Sequence, residues 1–351
     1  MSFFKDFGFS IVVSVICLTV ATWYGYWEGG ASAALSFFLI AAILGIMELS
    51  LSFDNAVINA TVLRKMSPIW QRRFLTWGIL IAVFGMRFIF PIVIVALVAK
   101  LDFIEVIRLA FQNPDVYAHH LEESTVAISA FGGSFLALVA LKYLMNPLKD
   151  LHWFVPLEKR LSQIGRLDTI QVFLTGSILL ALVSLWVYPE ERLAALSAGL
   201  VGILIYILID SITGYFDLEN TASAGLNVGL SSFIYLELLD ASFSLDGVIG
   251  AFAITKDVVV IAAGLTIGAV FVRSLTLLLV KRGTLQQYLF LEHGAHYGIA
   301  ALAIIMLLSM NHEVHIPEVI TGLIGLAFIL ASLWSSFRYR QQDHSQNSKA
   351  H

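Results

Sequence analysis

The chain has 351 residues, of which 58% are hydrophobic and only 13% are charged, and its formal net charge is −4. An average soluble domain carries about a quarter charged residues, so this chain has too few charges to cover a water-facing surface. The small net charge and the placement of the basic residues in short loops argue against a nucleic-acid partner, and a single cysteine, Cys17, excludes an internal disulfide, a zinc cluster and an iron–sulfur centre.

Apolar blocks separated by polar breaks predict ten membrane spans, because a helix needs about 20 residues to cross a bilayer. In chain order the blocks are 9–27, 31–62, 73–99, 124–145, 170–188, 193–210, 222–254, 257–280, 294–310 and 316–337. The second and seventh blocks are longer than a straight crossing requires, and each has a polar run in its middle. We therefore expect a break, a strong tilt or an extension beyond the bilayer in both.

The first block has some features of a signal peptide, since it follows Lys5 and precedes the small-residue run Ala31-Ser32-Ala33. We favour a retained first helix instead. The aromatic cluster from Trp23 to Trp27 is typical of a membrane interface, and the internal repeat described below requires this helix.

The basic residues predict the orientation. With the amino terminus in the cytoplasm, fifteen Lys and Arg residues fall inside, four outside and two within spans, as the positive-inside rule requires. We expect both termini in the cytoplasm and a bacterial inner membrane. The main external connection is then 101–122 and the main cytoplasmic one is 146–169, where we predict a surface helix with Trp153 and Phe154 at the interface. The polar tail 341–351 is predicted to be disordered.

Two segments of the chain share a pattern of acids and serines. Residues 48–57 read Glu-Leu-Ser-Leu-Ser-Phe-Asp-Asn-Ala-Val, and residues 240–249 read Asp-Ala-Ser-Phe-Ser-Leu-Asp-Gly-Val-Ile. In register, the matched pairs are Glu48 with Asp240, Ser50 with Ser242, Ser52 with Ser244, and Asp54 with Asp246. A second landmark follows in the next span, where a glycine precedes an arginine by nine residues in both halves: Gly78 and Arg87, then Gly264 and Arg273.

These landmarks predict an internal duplication, with spans 1–5 in residues 1–190 and spans 6–10 in residues 191–340. Because five is an odd number, the second half enters the membrane upside down. Many secondary transporters have this inverted-repeat architecture, with sites near the midplane where broken helices meet. The predicted fold is therefore an all-α polytopic membrane protein of two inverted five-helix repeats, with broken or kinked second and seventh helices.

Five carboxylates lie within the second and seventh spans: Glu48, Asp54, Glu237, Asp240 and Asp246. A charge at the bilayer centre costs about 3 kcal/mol on insertion scales, and Arg87 and Arg273 compensate only two of the five. The remaining negative charge favours a bound cation or bound protons. Two alternatives stay open: acids that only pair with the arginines and hold the bundle together, and a pure proton channel.

Helical periodicity places most of the polar residues on one stripe of each span. These stripes hold Glu48, Ser52, Asn55 and Asn59, and then Glu237, Asp240, Ser244 and Gly247. Asp54 and Asp246 lie off the stripes and reach a common site only if the helices unwind near the serines. The predicted metal ligands are Glu48, Ser52, Asp54, Asn55, Asp240, Ser244 and Asp246, and the predicted supporting residues are Glu237, Arg87, Arg273, Ser50, Ser242 and Asn59. Every ligand is an oxygen atom, which suits hard cations such as Mg²⁺, Ca²⁺ and Mn²⁺.

The two segments resemble the signature of TerC-type integral membrane proteins, in a branch that has remained a domain of unknown function. Glu-x-x-x-Ser-x-Asp-Asn, Asp-x-x-x-Ser-x-Asp, the intramembrane arginines, and Gly132-Gly133 leading into Leu141-Lys142 carry the resemblance. The wider family is linked to manganese efflux and, by older naming, to tellurite resistance. The resemblance implies a metal site formed by Glu48, Asp54, Asn55, Asp240 and Asp246. The chain departs from the pattern at Gly247, where many members have Ser, and in its long segment 101–122.

The histidines receive a simpler interpretation. Two pairs lie in predicted external connections: His119 and His120, then His312 and His315. They could capture metal at the entrance, but solvated loop side chains are the favoured interpretation. His293 and His296 begin the ninth span and are interpreted as helix-end residues. No phosphate-binding loop, nucleophile elbow or His-Glu-x-x-His motif occurs, so we expect neither an enzyme nor a permanently bound cofactor.

The leading functional hypothesis is a secondary exporter of a divalent cation, with Mn²⁺ first, driven by proton exchange or by the membrane potential. Acids near a metal bind protons when the metal leaves, which suits either driving force. The expected partners are the metal ion, the lipid bilayer and protons as counter-ion. The alternatives are a non-transporting membrane scaffold or assembly factor, a proton or Ca²⁺ transporter, and a lipid-modifying enzyme, which lacks a recognisable nucleophile.

Overall fold

The computed structural model describes residues 3–167, 169–218, 224–281, 283, 287–314 and 316–347. None of these residues forms a strand. We number the α-helices in chain order: α1 (Phe3–Leu51), α2 (Phe53–Leu63), α3 (Pro68–Leu80), α4 (Phe90–Ala99), α5 (Phe103–Gln112), α6 (Pro114–Glu123), α7 (Thr125–Leu144), α8 (Val155–Ile164), α9 (Ile170–Leu185), α10 (Arg192–Leu218), α11 (Ala224–Ile254), α12 (Val258–Lys281), α13 (Leu291–Leu308) and α14 (Glu318–Asn347). A π-helical segment, Ile81–Ile89, joins α3 to α4.

Seven helical stretches of the described chain are long and apolar enough to cross a membrane. They are Asp6–Leu51, Pro68–Ala99, Thr125–Leu144, Arg192–Ile212, Val258–Lys281, Leu291–Leu308 and Ile320–Arg340. Large apolar side chains remain exposed on the outer helices, such as Trp77 at 63% and Leu323 at 58%, where lipid would solvate them. The predictions of an all-helical fold and of a membrane protein are confirmed, and the count of ten crossings stays a prediction.

Helix α1 reverses direction at two glycines. Gly30 has φ 72° and ψ −158°, a conformation that residues with a Cβ rarely adopt, and Gly29 is also non-helical. The rings of Tyr24 and Phe37 lie 6.0 Å apart, although thirteen residues of straight helix would separate them by about 20 Å. Helix α1 is therefore a tight hairpin, and its turn falls between the first and second predicted spans.

The backbone at the two acidic segments is more regular than predicted. Ser52 separates α1 from α2, but its N–H still donates to the carbonyl of Glu48 at 3.0 Å and its carbonyl still accepts from Ala56 at 3.1 Å. The second predicted span is thus bent at one residue and not unwound. Helix α11 continues without interruption from Ala224 to Ile254, so the predicted break in the seventh span is wrong.

The irregular backbone lies instead in the third predicted span. The π-helical segment contains Arg87 and is followed by Pro91. Pro91 lacks the N–H that an α-helix would donate to the carbonyl of Arg87, and π-helical turns occur frequently at functional sites. The local widening positions the arginine that faces the acidic segment of α1.

Two glycines allow the central helices to approach closely. Helix α7 packs against α13, and a Cβ at Gly133 would lie 2.8 Å from the Leu307 side chain. A Cβ at Gly132 would overlap the end of Met306. The Gly132-Gly133 pair noted in the sequence therefore has a packing role in the core of the bundle.

The connection between α7 and α9 is folded onto the bundle by a buried acid. Glu158 of α8 is fully buried and accepts hydrogen bonds from Lys149 Nζ at 2.6 Å and Tyr297 Oη at 3.1 Å. Burial acts to raise the pKa of the Glu158 carboxyl, but Lys149 and the backbone N–H of Phe154 outweigh it, so this pKa lies below its usual range. Trp153 is not a free interfacial residue, because its Nε1 donates to Ser335 Oγ at 3.0 Å.

Two further regions, the segment 101–122 and the C-terminal tail, contain helix that the sequence did not predict. The segment 101–122 consists largely of α5 and α6, and Tyr117 of α6 packs on Phe252 with ring centroids 5.4 Å apart. Helix α14 continues to Asn347, into the tail predicted to be disordered. The prediction of disorder is therefore wrong as far as Asn347, and residues 348–351 lie outside the described chain.

Candidate metal centre

Helices α1 and α2 cross α11 at the two repeated acidic segments, and two contacts define the crossing. Asn55 Nδ2 donates to Asp240 Oδ1 at 2.8 Å. Farther along, Glu48 Oε2 lies against the α-carbon of Gly247, where a Cβ would overlap it. Residue 48 therefore lies opposite 247 while residue 55 lies opposite 240, which makes the pair antiparallel. The described serines Ser52 and Ser244 lie along the helices between these contacts.

Glu48 is held by an arginine from the π-helical segment. Arg87 Nη2 donates to Glu48 Oε1, and Arg87 Nη1 donates to the carbonyl of Ala82 at 2.6 Å. Ser52 Oγ also donates to Glu48 Oε1, at 3.4 Å. Both charged side chains are almost fully buried, so each compensates the other's lost hydration.

A second arginine holds two acids of α11. Arg273 Nη2 lies 3.2 Å from Glu237 Oε1 and 3.7 Å from Asp240 Oδ2, and it donates to the carbonyl of Gly78 at 2.9 Å. Its guanidinium carbon lies 3.8 Å from the centroid of the Phe74 ring, in a cation–π contact. A Cβ at Gly78 would lie 2.7 Å from Glu237 Oε1, so this glycine provides the space for the ion pair.

Asp54 faces a different part of the bundle. Its Oδ1 accepts from the N–H of Asn55 at 2.9 Å, and its carboxylate lies close to Gly298 of α13 and Gly325 of α14. No ion pair joins Asp54 to another described residue. It lines a cavity of about 20 Å³ together with Leu51, Phe243, Gly247, Leu302, Thr321 and Gly322, which is enough room for one water molecule or a bare ion. Gly247 thus borders both Asp54's cavity and Glu48.

Several buried polar atoms near the crossing lack a hydrogen-bond partner. They are Asn55 Oδ1, Asp240 Oδ2, Ser244 Oγ and both side-chain atoms of Asn59. An unsatisfied buried polar group costs about 1–3 kcal/mol, and native structures contain few of them. Most of these atoms are oxygens with free lone pairs, so a bound cation or ordered water would satisfy them.

Other predicted residues contribute less. Ser50 is exposed and donates to the carbonyl of its own helix at Ile46, and Ser242 donates likewise to Leu238. Asp246 lies within α11, and its side chain lies outside the described part of the chain. The structure therefore brings Glu48, Ser52, Asn55, Asp240 and Ser244 to one crossing but leaves Asp54 on another side of its helix.

The described carboxylates of the crossing do not converge on one point. Among the described residues, only His119, His120 and Glu123 form a group of three or more His, Cys, Asp or Glu side chains whose ligand atoms lie within 4.8 Å of one another. The ion pairs also bear on the alternative that the acids serve only to balance the charge of the arginines. The two arginines pair with three of the five predicted acids, which agrees with that alternative for these three.

Sequence reasoning missed three features of the site. The π-helical turn at Arg87 had one signal, Pro91 four residues later. The contact of Phe74 with Arg273 had none, because it joins two helices that are distant in the sequence. Gly247 was noted as a member of the polar stripe and as a departure from a family pattern, whereas in the structure its missing side chain makes room for Glu48.

Comparison with known proteins places the chain in a family without assigning a function. Residues 53–343 match the family described as Protein of unknown function (DUF475). No curated protein and no solved structure matches the chain. The matched range includes α2, both buried arginines and the acidic segment of α11, although it begins after Glu48. Because the match covers most of its length, the protein belongs to the DUF475 family.

Proposed function

We propose that this protein is a secondary-active transporter of divalent metal cations, with Mn²⁺ efflux as its principal activity. The observation that supports it most is the group of buried polar atoms near the crossing that have no hydrogen-bond partner: Asn55 Oδ1, Asp240 Oδ2, Ser244 Oγ and the Asn59 amide. Their oxygens come from carboxylate, amide and hydroxyl groups, which suit a hard divalent cation better than a soft one. No part of this activity requires a covalent step or a permanent cofactor.

The architecture that we propose for transport is a pair of inverted five-helix repeats, with ten crossings in all. Two cross-repeat contacts support it. In the repeat, Asn55 corresponds to Gly247 and Asp240 corresponds to Glu48. The contact of Asn55 with Asp240 therefore has its counterpart in the contact of Gly247 with Glu48. Such exchange symmetry is expected of a two-fold axis between the halves.

A further pair of contacts follows the same rule. Gly78 lies against Glu237. Gly264 is the repeat mate of Gly78, and its carbonyl oxygen would lie 3.4 Å from a Cβ at Gly45. Gly45 precedes Glu48 by three residues, as Glu237 precedes Asp240, so the two contacts are equivalent. The proposed relation to TerC-type proteins rests on these same landmarks.

The mechanism that we propose is exchange of partners at the carboxylates. An arriving cation competes with Arg87 for Glu48 and with Arg273 for Asp240, and Asn55 and Ser244 supply neutral oxygen ligands. Departure of the metal returns the carboxylates to the arginines or to protons, which couples transport to a proton gradient. Asp54, in its separate cavity, provides a second anionic position along the ion path.

The proposed setting is a bacterial inner membrane with both termini in the cytoplasm, on the grounds of the basic residues. The segment 146–167, held by Glu158, would then close the cytoplasmic side. Cysteine labelling tests this topology directly. An impermeant thiol reagent added outside should label Asp115→Cys but not Lys159→Cys, and the opposite pattern would reverse the orientation.

One observation favours the second candidate, a non-transporting membrane scaffold or assembly factor. Arg87 and Arg273 pair with Glu48, Glu237 and Asp240 inside the bundle, as expected if these charges only fix helix positions. The transporter is preferred because ion pairs do not explain Asn59, whose side-chain atoms are buried without a partner.

Ion flux into proteoliposomes separates the two candidates. Purified protein is reconstituted, and Mn²⁺, Ca²⁺ and Mg²⁺ uptake is followed with and without a pH gradient. The transporter predicts Mn²⁺ flux above that of empty liposomes, and proton coupling predicts that the gradient accelerates it. A scaffold predicts no flux of any of the three metals under either condition, and that result would refute the proposal.

A further inference from the structure

A second cluster of metal-ligating side chains lies far along the chain from the crossing, on α6. The C-terminal half of this helix carries His119, His120 and Glu123. His119 Nδ1 lies 3.4 Å from Glu123 Oε1, and His120 Nδ1 lies 3.0 Å from Glu123 Oε2. Residues three and four positions apart share a helix face, so the glutamate reaches both imidazoles.

The distances match those of a tetrahedral metal site. Ligand atoms about 2.1 Å from a Zn²⁺ ion in a tetrahedron lie about 3.4 Å from one another. His119 Nδ1 lies 3.4 Å from one oxygen of Glu123 and His120 Nδ1 lies 3.0 Å from the other, and one ligand atom from each of the three residues falls within 4.8 Å of the others. The three side chains are therefore close enough together to hold one metal ion.

The surroundings suit an open site. The His119 side chain is 70% exposed and that of His120 is 28% exposed, so solvent can supply a fourth ligand. Three protein ligands plus water is the usual arrangement of open zinc sites. The chemistry differs from that of the crossing, since two imidazoles favour Zn²⁺, Ni²⁺ or Co²⁺ over Mn²⁺ and Mg²⁺.

We propose that His119, His120 and Glu123 form a surface site for a borderline divalent cation such as Zn²⁺. The sequence alone favoured solvated side chains at these two positions. The site does not depend on the proposed transport function, because it shares no residue with the crossing. Another exposed histidine, His312, pairs with Glu191 at 2.9 Å, but among the described residues this pair has no third ligand.

The test is a Zn²⁺ titration of the full-length protein in detergent, with any polyhistidine tag removed, by competition with a chromophoric chelator. We expect one Zn²⁺ per chain on this site. His119→Ala and His120→Ala should each weaken binding at least about tenfold, since even the loss of an outer-shell contact costs 10–100-fold. His312→Ala removes another exposed histidine and should leave the affinity unchanged.

Two measurements protect the test against misfolding and adventitious binding. Glu123→Gln keeps the helix and both imidazoles but should still weaken Zn²⁺ binding, and circular dichroism should show wild-type helicity. Co²⁺ bound to the wild type should give visible absorption bands typical of tetrahedral geometry, and these should disappear in His119→Ala. Zn²⁺ binding of equal affinity in the wild type and in both histidine variants would overturn the proposal, as would absence of Zn²⁺ binding by the wild type.

Discussion

Replacement of Asn59 by leucine separates a role in ion binding from a role in folding. Asn59 is fully buried in α2, one turn beyond Asn55, and neither polar atom of its side chain has a hydrogen-bond partner. Each unsatisfied buried group costs about 1–3 kcal/mol. Leucine has a similar size and no polar atom, so Asn59→Leu should remove this penalty, and a small overpacking cost should offset only part of the gain.

We therefore expect Asn59→Leu to raise the free energy of unfolding by at least about 1 kcal/mol, or to raise Tm by about 2 °C. The same variant should lose most Mn²⁺ flux, because leucine offers no ligand and blocks the polar path. Tm is measured by heating the detergent-solubilised protein before size-exclusion chromatography. Flux is measured in proteoliposomes and expressed per folded molecule.

Thr175 provides the matched control. Its hydroxyl is also buried without a partner, but it lies in α9, away from the crossing. Thr175→Val should stabilise the protein and leave flux unchanged. A lower Tm for Asn59→Leu would show that the amide is hydrogen-bonded in the folded state. Full flux at a raised Tm would show that Asn59 is not on the ion path. Either result would refute the reasoning from unpartnered atoms.

Two further predictions concern packing and pH. Gly247→Ala places a Cβ against the carboxylate of Glu48. We therefore expect overpacking to lower the free energy of unfolding by about 1–3 kcal/mol and Mn²⁺ flux to slow. An unchanged Tm would contradict the contact between Gly247 and Glu48. Glu158→Gln should lower Tm markedly, since breaking a buried ion pair costs about 3–5 kcal/mol, whereas Asp210→Asn, in an exposed pair with Lys142, should cost less than about 1 kcal/mol. The pKa of Glu158 is lowered in the folded state. The ionised carboxylate therefore contributes its full stabilisation above the unfolded-state pKa of about 4.3, and this stabilisation is lost as the pH falls through the lowered folded-state pKa. Thermal melts of the wild type and Glu158→Gln should therefore converge at acid pH, and a constant difference down to pH 3 would contradict this.

The sequence predicted the composition of the crossing better than its geometry. Helical periodicity placed Glu48, Ser52 and Asn55 on one stripe, and the structure brings that stripe against Asp240. Periodicity also left Asp54 off the stripe, where it remains because α2 does not unwind. Patterns of this kind depend only on local helix geometry, so they can be read from a single sequence.

Features that depend on tertiary packing could not be predicted in this way. The acids that pair with Arg273 depend on how closely α12 packs against α11, and that distance cannot be predicted from a single sequence. The break was predicted at the serines, yet Ser52 keeps its helical hydrogen bonds and the irregular turn lies at Arg87. A serine side chain can compete for backbone hydrogen bonds, but packing against neighbouring helices can preserve the helix. A proline removes a backbone donor in any environment.

The most direct test of the central claim, that carboxylates of the second and seventh predicted spans carry the transported ion, is Mn²⁺ flux per folded molecule in Asp54→Asn and Asp246→Asn. Each change keeps the side-chain size and removes the charge that a dehydrated divalent cation needs. Ser50→Ala and Ser242→Ala are the matched controls, because both hydroxyls bond to their own helix. The account predicts that each aspartate variant reaches the membrane in normal amount and loses most of its flux while both serine variants retain theirs. Full flux in both aspartate variants at normal yield would contradict it.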